Sequence, residues 1–519
     1  MTETMLQRAK SWFKEVREEL PFRLDTDSLL QVSMGTAIEM AATRYAMDTG
    51  ARWTPGQPLK LLLAGYSGSR NTGADVRVEE IIRQFRHLCG DDHLELSITT
   101  IDPTQTRNYF KTVRQLHIPK IFPKFLYDTV VQHHGVVSCE GSMFKSKFAN
   151  ALSTMMAGAL GLAVVENKLA VGYGGEAGTM DDSLREFVRK YCQGAYIIAR
   201  NEESQHILAD LDIRTDAGTD TAWTFEPAPA ATGQKLLKDA GWDGQAPLLA
   251  ICPINPFWWP VRADVNRAVV HHFTGAHDDA HYDSVYFHKS GPEVDAAQER
   301  YLQSIATAVN RFRAETGAQP ILIGMEMLDR TACETLNTLL NEPCPMFISD
   351  AHDMYEMVSI LHQCNLVVSS RYHALVTSMP GLVPSIGITM DERIRNLMKD
   401  REHPELALEV DDEHLADNLY TQLSHVHAHS ERYAFGIGKC VYRNLYRMGE
   451  MGGRFVDYIR EMHPEFPFES HLGSHGDPWD HLPPLSPQIQ AIVDKHTKAS
   501  SGSYAAPASA TARILPTME

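Results

Sequence analysis

The sequence predicts an α/β protein made of two facing, doubly wound Rossmann-like domains, with additional helices at its N- and C-terminal ends. Two observations support this fold class. Short apolar runs alternate with segments whose apolar residues recur at helical spacing, which is typical of a parallel sheet covered by helices on both faces. The chain also has 519 residues, and single hydrophobic cores seldom extend beyond about 250–300 residues, so two domains are expected.

The composition along the chain divides it into five predicted segments. They are an N-terminal helical extension (1–58), a first α/β domain (59–235), a second α/β domain (246–410), C-terminal helices (411–480) and a disordered tail (481–519). Within the extension, helices are predicted over 6–20 and 28–47. The two domains should be connected at about 226–245, which is rich in Pro, Ala and Gly. The tail, rich in Pro, Ser and Ala, has little to bury.

The first predicted domain repeats a unit of strand, polar loop and helix. Its first strand, 60–64, runs into a glycine-rich loop, 65–75, whose glycines match neither the dinucleotide-binding nor the P-loop pattern. Later strands are predicted at 135–139, 169–172 and 195–199. Because the carboxyl ends of parallel strands share one sheet edge, a common cleft should be lined by 65–75, 140–142, 174–178 and Arg200.

The second predicted domain has strands at 248–252, 321–324, 346–349 and 365–369. The segment 255–293 is polar, aromatic and without a regular pattern, so it is predicted to be an irregular loop over the cleft. Aromatic rings offer an apolar face that can stack on a sugar ring. One hypothesis is therefore that Trp258, Trp259 and their aromatic neighbours contact a sugar, and ordinary packing beneath the loop is the alternative.

The residues that follow the strand 365–369 carry the predicted chemistry. Ser369 or Ser370 can cap the next helix, which places Arg371 and His373 in its first turn, at the sheet edge where α/β proteins bind anions. An arginine keeps its charge, whereas a histidine gains and loses a proton near neutral pH. This arrangement suits an anionic substrate whose reaction includes a proton transfer.

Charge and composition exclude several classes of protein. The formal net charge of −18 disfavours nucleic acid and anionic membranes as partners, so an anion site must be a local basic pocket. The N-terminus lacks a secretory signal, no apolar run is long enough to span a bilayer, and the eight cysteines form no C-x-x-C pair. These features predict a cytoplasmic protein without a transmembrane segment. The histidines and aspartates of 271–288 match no zinc-site spacing, so no metal is predicted.

Four stretches resemble signatures of the polysaccharide pyruvyltransferase family. GYSGSRNTGADVRVEEI (65–81) is similar to its N-terminal signature, and SSRYHALVTSMPGLVPSIGI (369–388) to its C-terminal R-L-H-A-L…G-x-P signature. ARNEES (199–204) resembles its V-R-D-E-E-S turn, and TDTAW (219–223) its D-P-A-F segment. The departures mark a divergent member: Asp75 displaced by one residue, Tyr372 for Leu, Asn201 for Asp, and SCEGS (138–142) for a glycine run.

The resemblance implies a GT-B-like fold and the transfer of a pyruvyl group, as a ketal, from phosphoenolpyruvate to an acceptor. The acceptor would be a sugar, a glycan, or a lipid- or nucleotide-linked sugar. Carried over residue by residue, the resemblance makes His373 the catalytic acid/base. It places the substrate-binding residues at Arg371, Arg393, Arg200, Asn71, Gly73, Asp75 and Tyr372. The chemistry requires no metal and no redox cofactor.

Other interpretations of these residues stay open. One alternative is a GT-B glycosyltransferase that uses a nucleotide sugar, and another is a non-catalytic binding protein on the same fold. His373 can be a structural histidine. Arg200 can simply pair with Glu203 on the surface, and Arg393 with Asp391.

Overall fold

The computed structural model describes residues 26–47 and 50–500. The helix predicted over 6–20 lies outside these described residues, as does 501–519 of the predicted tail. Helix α1 (Thr26–Ala46) confirms the helix predicted over 28–47 and buries Met34 and Ile38 in a core of the first domain. Among the described residues, no helix has both the length and the apolar composition needed to cross a bilayer.

The first domain is organised around a parallel sheet that has eight strands within the described residues, in the order β3-β2-β1-β4-β6-β7-β8, with β5 beside β6. The strands are β1 (Leu59–Ser67), β2 (Leu94–Thr100), β3 (Arg114–His117), β4 (Gly135–Ser138), β5 (Ser142–Phe144), β6 (Leu169–Ala177), β7 (Tyr196–Ala199) and β8 (Arg214–Ala217). The helices between them are α2 (Thr72–Cys89), α3 (Pro123–Val130), α4 (Asn150–Val165), α5 (Asp182–Tyr191) and α6 (Glu202–Ala209).

Apolar side chains cover both faces of this sheet. Because successive side chains of a strand point to opposite faces, Leu61 and Leu63 enter one hydrophobic core and Leu62 and Ala64 enter another. Helix α2 packs into the first core, and α4 into the second. The sheet is therefore doubly wound, as predicted.

The second domain has a parallel sheet in the order β14-β13-β9-β15-β16-β17. Its strands are β9 (Leu248–Cys252), β13 (Gln319–Gly324), β14 (Met346–Ile348), β15 (Leu366–Ser369), β16 (Ser385–Thr389) and β17 (Ala407–Glu409). Its helices are α9 (Pro292–Thr316), α10 (Arg330–Leu339), α11 (Met354–Leu361), α12 (Tyr372–Ser378) and α13 (Glu392–Asp400). Asp353 caps α11 by accepting a hydrogen bond from the Glu356 backbone N–H.

The carboxyl edges of the two sheets face each other. The Thr72 backbone N–H, after β1, donates to the Met325 carbonyl, after β13, over 2.8 Å. Beside this contact, the Asn71 side-chain amide donates to Glu326 over 3.2 Å, and Arg70 Nε donates to the Ser349 carbonyl over 2.7 Å. Two doubly wound domains facing each other in this way form the predicted GT-B-like architecture.

The segment 255–293 is not the irregular loop that the sequence predicts. It contains a small antiparallel sheet of β10 (Arg262–Ala263), β11 (His281–Asp283) and β12 (Tyr286–Phe287), together with α8 (Val265–Thr274). Strands of two or three residues are too short to display an alternating pattern. Asp264 caps α8 by accepting from the Arg267 N–H, a local signal that composition alone overlooks. We call this segment the insertion.

The connection between the domains is also more regular than predicted. Within 226–245 lies helix α7 (Ala230–Asp239), which packs on α11 where Gly233 meets Ser359. A methyl group at Gly233 would lie 2.7 Å from the Ser359 carbonyl oxygen, so only glycine permits this approach. The Pro- and Gly-rich composition marks the ends of this helix rather than a loop.

The C-terminal helices return across both domains. They are α14 (Leu415–Ala428), α15 (Ser430–Met462) and α16 (Pro487–Ser500). From α15, the Phe455 ring stacks on Phe85 of the first domain, with centroids 4.0 Å apart. The predicted disorder is wrong for 481–500, because α16 buries Ile489 and Ile492 in the main hydrophobic core.

The stack of Phe455 on Phe85 should make a large contribution to stability. We expect Phe455→Ala to lower the free energy of unfolding by about 3–5 kcal/mol, since it leaves a cavity beside two fully buried rings. Urea denaturation followed by tryptophan fluorescence measures the change. Phe435→Ala is the matched control, because Phe435 lies on the same helix and is 52% exposed. Equal effects of the two substitutions would show that α15 does not hold the domains through this contact.

Candidate active site

Two helix starts from different domains meet at His373. Asn71 caps α2 by accepting from the Ala74 N–H over 3.2 Å. At α12 the Ser369 hydroxyl accepts from the Arg371 N–H over 2.9 Å, so Arg371, rather than the predicted Ser369 or Ser370, occupies the N-cap position. The backbone of α2 then lies directly on the imidazole of His373. A methyl group at Gly73 would come within 2.3 Å of Nδ1, so this approach requires glycine.

Asp220 is the hydrogen-bond partner of His373. Its Oδ2 lies 3.3 Å from His373 Nε2, 2.9 Å from Arg200 Nη1 and 3.5 Å from Arg77 Nη1. Burial favours the neutral form of Asp220, but Arg77, His373 and Arg200 outweigh burial and hold its pKa well below the ordinary value. Burial lowers the pKa of His373, against the opposing effect of Asp220. The lowered pKa favours the neutral imidazole near pH 7.

Arg200 belongs to a buried charge network rather than to the surface. Its Nη2 donates to Glu176 over 2.9 Å, and Lys145 Nζ contacts both Glu176 at 2.7 Å and Glu392 of the second domain at 2.6 Å. Burial raises the pKa of Glu176, but Arg200 and Lys145 reverse this effect and lower the pKa to about 2. The Arg200 guanidinium also lies over the Tyr372 ring, 4.5 Å from its centroid. The simple surface pair of Arg200 with Glu203 is thus wrong.

Arg371 is held along one edge by two carboxylates. Its Nε donates to Asp329 over 2.9 Å, and its Nη2 lies 2.8 Å from Glu326. These partners occupy the Nε–Nη2 edge of the guanidinium. An additional anion would therefore approach the Nη1 side, with Arg371 already fixed in position.

Arg393 combines an ion pair with an aromatic contact. Its Nε donates to Asp391 over 2.8 Å, the pairing that the sequence suggested as an alternative to substrate binding. Its guanidinium also lies over the Phe148 ring, 4.6 Å from the centroid. In addition to these contacts, Arg393 lines the cavity between the domains.

A single cavity of about 90 Å³ brings most of the predicted site residues together. A water molecule needs about 10–15 Å³ of such volume, so the cavity has room for about six to nine water-sized groups. The predicted residues that line it are His373, Arg371, Arg393, Arg200, Asn71, Gly73 and Tyr372. Tyr66 and Glu140, from the loops 65–75 and 140–142 that were predicted to line the cleft, also line it. Trp259, Tyr282 and Glu326 are further lining residues.

Asp75 is the predicted site residue that the fold keeps away from the cavity. Its carboxyl is buried within α2, and neither oxygen has a hydrogen-bond partner among the described residues. Burial, together with the negative charge of Glu140, raises its pKa well above the ordinary value. The neutral carboxyl is therefore part of the interior of the first domain rather than a substrate contact.

The carboxylates of the site are what sequence reasoning missed. Asp220, Glu176, Glu326 and Asp329 neutralise the arginines, and only Glu176 lies in a range, 174–178, that the sequence predicted to line the cleft. Asp220 lies within TDTAW, so the family likeness contained a signal for it. Nothing in the local pattern marks Glu176 or Asp329 as partners of distant arginines. In residues 26–47 and 50–500 no group of three potential metal ligands occurs.

A comparison with protein families agrees with three of the four sequence signatures, those at 199–204, 219–223 and 369–388. The sequence profile described as polysaccharide pyruvyl transferase matches residues 156–392. No curated protein sequence matches the chain significantly.

Several solved structures are similar to this chain at low sequence identity. A UDP-GlcNAc 2-epimerase from Neisseria meningitidis, bound to UDP-GlcNAc, is 11% identical, with a TM-score of 0.45 over 73% of this chain and 93% of that one. A putative UDP-N-acetylglucosamine 2-epimerase from Listeria monocytogenes is 9% identical, with a TM-score of 0.48 over 78% and 97%. Anabaena HepE in complex with UDP-glucose is 10% identical, with a TM-score of 0.47 over 78% and 98%.

The family match includes three residues of the site, Arg200, Asp220 and His373, which the fold brings together from distant parts of the chain. Over residues 156–392 the chain is therefore similar to the polysaccharide pyruvyl transferase family, whose members are transferases.

Proposed function

We propose that this protein transfers the pyruvyl group of phosphoenolpyruvate to two hydroxyls of a sugar, as a ketal. The observation that carries the proposal is the cavity between the domains, where three guanidinium groups surround a neutral histidine. The acceptor would be a sugar, a glycan, or a lipid- or nucleotide-linked sugar. We also propose a cytoplasmic location, since the eight cysteines are buried free thiols.

The arginines of the cavity suit the two anionic groups of phosphoenolpyruvate. The donor carries a carboxylate and a phosphate on a small skeleton, and Arg200, Arg371 and Arg393 offer donors from three sides. The start of α2, at Asn71 and Gly73, adds the positive end of an 18-residue helix.

His373 would act as a base and then as an acid. Its neutral imidazole accepts the proton of the attacking sugar hydroxyl, and the neighbouring Asp220 carboxylate stabilises the imidazolium that forms. The proton then passes to the departing phosphate. His373 therefore returns to its neutral form at the end of the reaction, because the proton of the hydroxyl leaves with the phosphate.

The sugar would enter beside the insertion. Trp259 and Tyr282 line the cavity, and the Trp259 ring lies edge-on to Phe148, 5.3 Å away. Trp258, in contrast, stacks on His288 at 4.1 Å, which supports ordinary packing for that residue. Of the two tryptophans, we therefore assign acceptor contact to Trp259.

Loss of Arg393 should weaken donor binding. We expect Arg393→Ala to raise the Kd for phosphoenolpyruvate about 10- to 100-fold, the effect of one lost charge-assisted hydrogen bond, as measured by isothermal titration calorimetry. Arg395→Ala is the matched control, since Arg395 lies on the same helix and pairs with Glu409 outside the cavity. If the wild type binds a nucleotide sugar but not phosphoenolpyruvate, the glycosyltransferase alternative is favoured. If it binds neither ligand, the non-catalytic binding protein is favoured.

Loss of His373 should affect chemistry more than binding. We expect His373→Gln to slow phosphate release from phosphoenolpyruvate about 10²- to 10⁴-fold, with the Kd for the donor changed less than about threefold. A panel of methyl glycosides and UDP-sugars supplies the acceptors. In the wild type, the rate should fall as pH falls through the His373 pKa, which lies below 6.5. His352→Gln, outside the cavity, is the control, and an unchanged rate in His373→Gln would refute the assignment.

Loss of Trp259 should affect only the acceptor. We expect Trp259→Ala to raise the acceptor KM about tenfold while the Kd for phosphoenolpyruvate is unchanged, because the ring lies on the side of the insertion. Steady-state kinetics of phosphate release measure the change. Phe273→Ala is the control, since Phe273 belongs to the insertion but is 58% exposed. An unaltered acceptor KM in Trp259→Ala would contradict the proposed sugar contact.

A further inference from the structure

We propose that Glu140 is a second catalytic residue, which donates a proton to the methylene carbon of phosphoenolpyruvate while His373 serves the sugar hydroxyl. This inference rests on the proposed function and assigns the proton donor that the function leaves open. Glu140 comes from the first domain and His373 from the second, and both line the cavity. The two groups would thus serve different atoms of the reaction.

The fold holds the Glu140 carboxyl firmly at the wall of the cavity. Glu140 follows β4, is 4% exposed, and accepts a hydrogen bond through Oε1 from the Tyr66 N–H over 3.3 Å. Its side chain lies against Gly65 at the end of β1, where a methyl group would approach Oε1 to 2.9 Å. A side chain larger than glycine at position 65 would therefore displace the carboxyl.

Glu140 differs from the other buried carboxyls around the cavity in having no cation attached. Asp220, Glu176, Asp329 and Glu326 each pair with an arginine. No ion pair includes Glu140 in the described part of the chain. A carboxyl that is buried without a cation favours its protonated form, which is the form that can donate.

The surroundings of Glu140 are consistent with a proton donor. Burial raises the pKa of Glu140 to about 7, Arg77 opposes this effect, and Glu326 adds to it. His373, whose pKa burial lowers, is neutral at the same pH. When their environments move the pKa values of two titratable groups apart in this way, one group can act as an acid and the other as a base in the same site. The titratable and charged groups that interact with Glu140 are Arg77, Glu326, Tyr66, Asp75, Tyr282 and Cys139.

The protons and bonds of the reaction balance with these two groups. The double-bond electrons of phosphoenolpyruvate take the Glu140 proton and form the methyl group, which leaves the central carbon electron-poor. A sugar hydroxyl attacks this carbon and gives its proton to His373. The carbon–oxygen bond to phosphate then breaks, and the phosphate leaves with the His373 proton. A second hydroxyl closes the ketal, and its proton restores Glu140.

Proton uptake on donor binding tests the inference without an acceptor. Because bound phosphoenolpyruvate adds negative charge beside Glu140, binding near pH 7 should drive this carboxyl from half to full protonation, an uptake of about half a proton. Calorimetry in two buffers of different ionisation enthalpy measures the uptake for wild type and Glu140→Gln. Glu79→Gln is the matched control, because Glu79 has a burial-raised pKa but lies outside the cavity.

The expected result is that Glu140→Gln binds phosphoenolpyruvate, loses this proton uptake and slows phosphate release about 10²- to 10⁴-fold, whereas Glu79→Gln behaves as wild type. The fall in the wild-type rate above about pH 7 should also disappear in residual Glu140→Gln activity. Wild-type uptake or wild-type rate in Glu140→Gln would overturn the role of Glu140 and leave the proposed function standing. Failure of the wild type to bind phosphoenolpyruvate would overturn both.

Discussion

The buried carboxylate of Asp220 is the interaction on which the geometry of the site depends. It is shared by Arg77 and Arg200 of the first domain and by His373 of the second. Removing one partner of such a buried pair generally costs about 3–5 kcal/mol, because the remaining charge is left uncompensated. The orientation of the histidine and the docking of the two domains are therefore fixed by the same group. The backbone of Gly73 completes this arrangement from the opposite side of the imidazole.

The cavity shows how an acidic protein accommodates an anion site. Each arginine at the cavity is paired with at least one carboxylate, so the positive charge is largely balanced before a ligand binds. Such pairing weakens the attraction for an anion, but it fixes the guanidinium groups in position, which reduces the entropy lost on binding. Glu140 stands outside this pattern, since its carboxyl has no cation. The paired arginines can thus hold a ligand, whereas the unpaired carboxyl of Glu140 can supply a proton.

Local patterns in the sequence predicted the strands and helices that carry the site, whereas contacts between distant residues determine which side chains pair there. The strand and helix around RYHAL placed Arg371 and His373 at a sheet edge, and the structure brings both to one cavity. Asp220 could not be paired in the same way, because it is 153 residues from His373 and such contacts leave no local signal. The tail was misjudged for another reason. The Ser- and Ala-rich composition that predicts disorder begins only near Lys498. Ile489 and Ile492, upstream of it, have the helical spacing that indicates a buried face.

The insertion has a consequence for how ligands reach the cavity. Opening the cleft as a hinge would break the ion pair of Lys145 with Glu392, in which the lysine is buried. Helix α8 of the insertion has no buried residue, and regions with little buried surface open at a lower free-energy cost. Local opening of α8 should therefore cost less free energy than domain motion, so the rate of product release would depend on the stability of this one exposed helix.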